Sequence, residues 1–103
     1  MNYTVFEECG LKRSLDILSG KWKPLILYHL FHEQEIRFIE LWRKMPRVSK
    51  KVLLDQLKQM QKHHVVERIE RNDFPPQVYY RLHKDAEYLG PALQILEAWG
   101  KSR

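Results

Sequence analysis

Ser49, Lys50 and Lys51 stand together at the head of the run KKVLLDQLKQMQKHH (50–64), whose charged residues recur at helical spacing. A serine there can cap a helix, and its hydroxyl or backbone N–H can also touch a phosphate. Lys50 and Lys51 in the first turn could reach phosphates or guanine O6 and N7, and Gln56 and Lys58 follow one to two turns on. Asp55 on the same side could accept from cytosine N4, or simply pair with Lys51 or Lys58. The surroundings suit a polyanion. Residues 43–71 hold nine Lys/Arg, including Arg43 and Arg47, against three acids, a net +6 in a chain whose total is +5. The positive charge is therefore regional, although a solvated basic face without a partner would have the same composition.

A second basic stretch follows. The strand-like runs VVERIER (65–71) and QVYYRL (77–82) are joined through NDFPP, with Arg68, Arg71 and Asn72 the polar residues best placed near the tip. Pro75 and Pro76 cannot donate to a strand ladder and belong where pairing is interrupted. They also limit backbone freedom at the tip. Val78, Tyr80 and Leu82 alternate as an inward face would, so the hairpin can cover a core and touch a polyanion together. Arg37, immediately before Phe38, could hold a neighbouring helix or a phosphate, and Lys21, Lys23 and Arg43 could add phosphate contacts.

Other chemistry is sparse. Cys9 is the one cysteine, which excludes an internal disulfide and a multi-cysteine metal site. It precedes a helical segment whose dipole, with Lys12 and Arg13, would favour a thiolate, while Glu7 and Glu8 oppose it; the competing reading is a small buried hydrophobe. His29 and His32 lie three apart and His63 and His64 are adjacent, but a zinc site needs three or four converging ligands and the spacing supplies no such set. No metal and no cofactor is expected. No nucleophile–base motif, phosphate loop or carboxylate pair points to an enzyme.

These side chains need elements to hold them. Leu11, Leu15 and Leu18 share one face of a helix over 11–18, and Gly20 breaks the chain. Residues 21–33 form an apolar helix, with Pro24 tolerated in its first turn. EIRF (35–38) is a short strand, and IELWRKM (39–45) a helix that Pro46 ends. RVS turns the chain into the helix 50–64, which buries Leu53, Leu54, Leu57 and Met60. After the hairpin, residues 84–100 return to helical spacing with Leu89, Leu93, Leu96 and Trp99 in register, and Gly90-Pro91 bends or interrupts them. The expected fold is mainly α with one small β-hairpin: helix, helix, short strand, helix, helix, hairpin, helix. Two helices across a tight turn with a hairpin behind them make a winged helix-turn-helix, whose second helix enters the major groove.

A chain of 103 residues fits a single domain, 1–103, with a thin core that a partner subunit would help to cover. Phe6, Leu11 and Leu15 at one end and Leu89, Leu93, Leu96 and Trp99 at the other are the expected homodimer contacts. No apolar run approaches the ~20 residues of a membrane span. The acidic N-terminus MNYTVFEECG lacks a signal-peptide pattern, which points to the cytoplasm.

The residues also resemble a known family. Cys9, then LDILSGKWKPLILYHL, IRFIELWRKMPRVSKKVLLDQLKQM, FPPQVYYRL and LQILEAWG, over roughly residues 9–100, are similar to the HxlR-type transcriptional regulators, related to the MarR group. The resemblance implies a homodimer built through its terminal helices that binds pseudopalindromic duplex DNA as a repressor or activator. In some members a cysteine near the N-terminus senses oxidants or electrophiles, which would give Cys9 that role. The residues name no effector. Four positions depart from the pattern. His64 stands where glycine usually ends the recognition helix, Leu54 replaces a small hydroxyl residue, Gln77 replaces a basic residue after Pro-Pro, and His83 replaces a better N-cap. Taken together these readings predict a sequence-specific DNA-binding regulator. The alternative is a winged-helix interaction module whose basic face binds an acidic protein.

Overall fold

The computed structural model describes residues 9–72 and 74–103. Six helices and three strands follow in the order α1 (Gly10–Leu18), α2 (Lys23–Glu33), β1 (Glu35–Arg37), α3 (Phe38–Lys44), α4 (Lys50–Lys62), β2 (Val66–Arg71), β3 (Gln77–Leu82), α5 (Lys84–Glu87) and α6 (Gly90–Lys101). The architecture is a winged helix: mostly helical, with an antiparallel three-stranded sheet in the order β1-β3-β2. β2 and β3 form the wing, with Arg68 opposite Tyr80 and Arg71 opposite Gln77. β1 pairs along the other edge of β3, Glu35 opposite Arg81 and Arg37 opposite Tyr79.

The core lies among α2, α3, α4 and the sheet. Ile26, Leu30, Leu41, Leu53, Leu57 and Met60 are all but inaccessible, and Val66 and Tyr80 close it from the wing. In α4 the buried residues Leu53, Leu57 and Met60 recur every three to four positions, as a helix with one inward face requires. Leu54, grouped with them from the sequence, lies at the edge of that face and is half-buried.

Local chemistry sets the boundaries. Pro24 stands in the first turn of α2, so the helix starts at Lys23 rather than Lys21. α4 ends at Lys62 rather than residue 64, because His64 takes a left-handed backbone with φ 57°. This is the conformation that the missing glycine would adopt more easily. The final helical stretch is interrupted, as Gly90-Pro91 suggested, into α5 and α6. Gly90 lies against Phe31 of α2, and a Cβ there would meet the ring at 2.9 Å, so a side chain at this position would require the ring to shift.

The two terminal helices contribute little to the core. α1 buries no residue, and α6 buries only Gly90. Leu11 and Ile95 are each 70% exposed and Trp99 60%, with Leu15 and Leu96 about half exposed. Leu89 and Leu93 are half-buried. Phe6 lies outside the described residues.

Candidate nucleic-acid interface

The turn between α3 and α4 is held at three points. The Trp42 indole Nε1–H donates to the Val48 carbonyl at 3.0 Å, across the turn. The Val48 N–H donates to the Met45 carbonyl at 3.2 Å. Ser49 is extended (φ −73°, ψ 157°), and its Oγ accepts from the Val52 N–H at 3.1 Å, satisfying one of the donors left open at the helix start. Ser49 is therefore the N-cap, as its position in the sequence indicated.

Lys51, Asp55, Lys58 and Lys62 occupy the side of α4 opposite Leu53, Leu57 and Met60, and all are exposed. Lys50 is exposed in the first turn, and Arg43 and Arg47 are exposed just ahead of it. Among the described residues none of these seven side chains makes an ion pair. Asp55 does not pair with Lys51 or Lys58, although both are at helical spacing. The outward face of α4 is thus a band of uncompensated cations with one carboxylate among them.

The wing arginines are placed differently from the sequence expectation. Arg68 and Arg71 are three residues apart on one strand and so leave it on opposite faces. Arg68 lies in the middle of β2, not at the tip. It donates to Glu70 at 2.8 Å and lies opposite Tyr80 across the wing. The bond to Glu70 is the main reason its guanidinium holds its proton more firmly than usual, while burial raises the pKa of Tyr80. Arg71 is at the strand end and donates twice to Glu35 on β1, at 2.7 and 2.6 Å, with its guanidinium 4.6 Å from the centre of the Tyr79 ring. Arg81 donates to Glu67 at 2.7 Å on the same face, and this bond lowers the Glu67 pKa. Arg71 is therefore clamped across the sheet, and Asn72 beyond it is exposed. Arg37 is half-buried and its Nε is buried without a hydrogen-bond partner. This suits a side chain packed between β1 and α3 better than one directed wholly outward.

Sequence reasoning missed Phe74. It sits at the wing tip, fully exposed, before a cis bond to Pro75; an aromatic residue inside a predicted turn was the available signal. Cys9 is half-buried and occupies the N-cap position of α1, where its side chain makes no capping bond. No helix among the described residues is long and apolar enough to cross a membrane.

This arrangement has known counterparts. The HxlR-like helix-turn-helix family profile matches residues 17–103. The chain belongs to that family. It is 39% identical over 91 residues to the HTH-type transcriptional regulator YtcD of Bacillus subtilis (strain 168), covering 88% of this chain and 71% of YtcD. The crystal structure of YtcD superposes with a TM-score of 0.81 at 38% identity, covering 90% of this chain and 94% of that one. The redox regulator HypR in its reduced form superposes with a TM-score of 0.83 at 30% identity, over 89% and 90% of the two chains. A MarR-family regulator from Porphyromonas gingivalis W83 gives 0.80 at 31% identity, over 92% of each. The HxlR and MarR resemblance read from the motifs thus holds, and the protein is a transcriptional regulator with a helix-turn-helix DNA-binding fold rather than an enzyme.

Proposed function

We propose that the chain, as one domain over 1–103, works in the cytoplasm as a homodimer that binds pseudopalindromic duplex DNA sequence-specifically. The observation that carries this reading is the unpaired cation band on α4 behind a turn fixed by Trp42 and Ser49. α4 enters the major groove with Lys50 and Lys51 leading, and Lys58 and Asp55 follow along the groove. Arg43 and Arg47 flank the entry and hold phosphates. At the wing, Asn72 is free to reach the backbone, and Arg71 reaches it by releasing Glu35. Arg68 and Arg37 act mainly by positioning the sheet and α3. Two-fold symmetry through α1 and α6, including Leu11, Leu15, Leu89, Leu93, Leu96 and Trp99, sets two α4 helices one turn of DNA apart, ~34 Å.

Selection of bound sequences from a random duplex pool tests the reading directly. A two-fold related motif is expected, with affinity that falls steeply as salt rises. Lys51→Glu should abolish that binding; if the variant keeps the parent's DNA behaviour, the basic face serves an acidic protein instead.

Cys9 supplies the sensing arm of the proposal. It stands at the N-cap position of α1, half-buried and without a capping bond, and HypR, a redox regulator of the same fold, has been solved in reduced and oxidised forms. With one cysteine per chain, oxidation leads to an intersubunit disulfide or a mixed adduct. Cys9→Ser should then bind DNA normally and no longer respond to diamide; an unchanged response makes Cys9 structural.

A further inference from the structure

His64, His83 and Asp85 are distant in the sequence and converge where the end of α4 meets the base of the wing. The two imidazole rings stack with centroids 5.1 Å apart and planes 18° from parallel. Asp85 Oδ2 lies 3.8 Å from His64 Nδ1 and 3.6 Å from His83 Nδ1. One ligand atom from each of the three residues falls within 4.8 Å of the others. From this geometry we infer a binding site for a late first-row divalent metal ion, with Zn2+ as the probe of choice.

The dimensions suit such an ion. Bonds of about 2.0–2.1 Å in tetrahedral geometry set ligand atoms roughly 3.3 Å apart, so the two Asp85–imidazole separations need only a small contraction, while the imidazole nitrogens, within 4.8 Å of each other, close the remaining gap by rotation of the exposed His64. His64 and Asp85 have side chains 67% and 61% exposed and can make that movement, while His83 at 21% is the fixed member. The scaffold beneath them is tied together. The His83 N–H donates to the Val65 carbonyl at 2.9 Å, and the Val65 N–H donates to the Met60 carbonyl at 2.8 Å. The His83 ring is oriented by the Asp85 N–H, which donates to Nδ1 at 3.1 Å. An ion taking that nitrogen displaces a neutral bond at the long end of the normal range.

The donor set decides the metal class. Two imidazoles and one carboxylate suit zinc, copper, nickel or cobalt, whereas magnesium and calcium call for oxygen ligands throughout. Three protein ligands leave a position open to water. The His64 backbone, which ends α4, also fixes where this imidazole stands. The chain holds a bulky residue at φ 57°, where glycine or asparagine sits more easily. What it gains there is an imidazole facing His83. A bound ion joins the end of α4 to the head of α5 and so braces the wing at its base. The site is independent of whether α4 binds DNA.

Zinc titration of the metal-free full chain against a competing chromophoric chelator tests the inference. One ion per chain is expected, and the Co2+ form should show the visible absorption bands of a four-coordinate nitrogen–oxygen site. His64→Gly removes a ligand while relaxing the backbone, so it should fold as well as the parent or better. Asp85→Asn removes the charged ligand with little change of shape. Each should weaken zinc binding at least about tenfold with an unchanged circular dichroism spectrum, and Cys9→Ser and the His29→Gln/His32→Gln pair should bind zinc as the parent does. Absence of saturable zinc binding, or binding that survives His64→Gly and Asp85→Asn, overturns the inference.

Discussion

The centre of the molecule and its two ends obey different rules. α2, α3, α4 and the sheet bury a continuous apolar cluster, with Leu30, Leu41, Leu53 and Leu57 fully inaccessible. α1 and α6 have apolar stripes of similar composition, yet these face outward. In the centre, most apolar side chains are covered by their own chain. At the ends, the free energy of burial is left to be collected elsewhere. The central unit is therefore the part whose apolar surface one chain covers, and the terminal helices are the part whose apolar surface stays exposed; in the proposed dimer, their stability would depend on concentration.

Substitutions can break this contrast at several strengths. Leu57→Ala opens a cavity in the centre and should destabilise the fold by about 2–5 kcal/mol in denaturant titrations, whatever the protein concentration. Trp99→Ala should instead act on association. Loss of a large interface aromatic costs about 2 kcal/mol, read as roughly thirtyfold weaker self-association by analytical ultracentrifugation with α4 and the wing unchanged. If Trp99→Ala leaves self-association untouched, the exposed stripe has another purpose. Ser49→Ala removes the cap of α4 and should cost about 1 kcal/mol, evident as a lower melting temperature. Glu35→Gln releases Arg71 from a partly exposed ion pair worth at most about 1 kcal/mol. Stability should barely move, while DNA affinity should rise slightly in a fluorescence anisotropy titration, since Arg71 no longer has to leave its partner.

The smallest effect concerns pH. Burial, aided by nearby Lys44, holds the His29 pKa below its usual 6.5. The unfolded chain thus binds the proton more readily than the folded one, and stability contributed through His29 declines as pH falls through 6.5. His29→Gln should flatten the melting temperature between neutral and mildly acidic pH by a small amount.

How much of this was legible in the sequence follows from the range of each interaction. Ser49 and Pro46 act within a few residues, and the turn and start of α4 were placed from them. The left-handed backbone at His64 was legible for the same reason: a helix must end somewhere, and the usual glycine is absent. His83 stood in the cap position and does cap α5, accepting from the Asp85 N–H. Other features depend on distant pairing. That β1 joins the far edge of β3, that Arg71 is clamped by Glu35, and that His64 meets His83 all follow from the sheet order β1-β3-β2 and the packing around it. Spacing along the chain encodes none of these. The opposite faces of Arg68 and Arg71 were within reach, because strand alternation alone separates residues three apart; grouping both near the tip left it out.

Gly90 has a wider consequence. A methyl group at Gly90 would require the Phe31 ring, or the start of α6, to shift. α6 has twelve residues and so a length of about 18 Å. In the proposed dimer it acts as a lever arm, and a tilt of about 10° at its root swings the far end by roughly 3 Å. In that dimer, a shift at Gly90 would be read as a change in the reach between the two α4 helices rather than in stability.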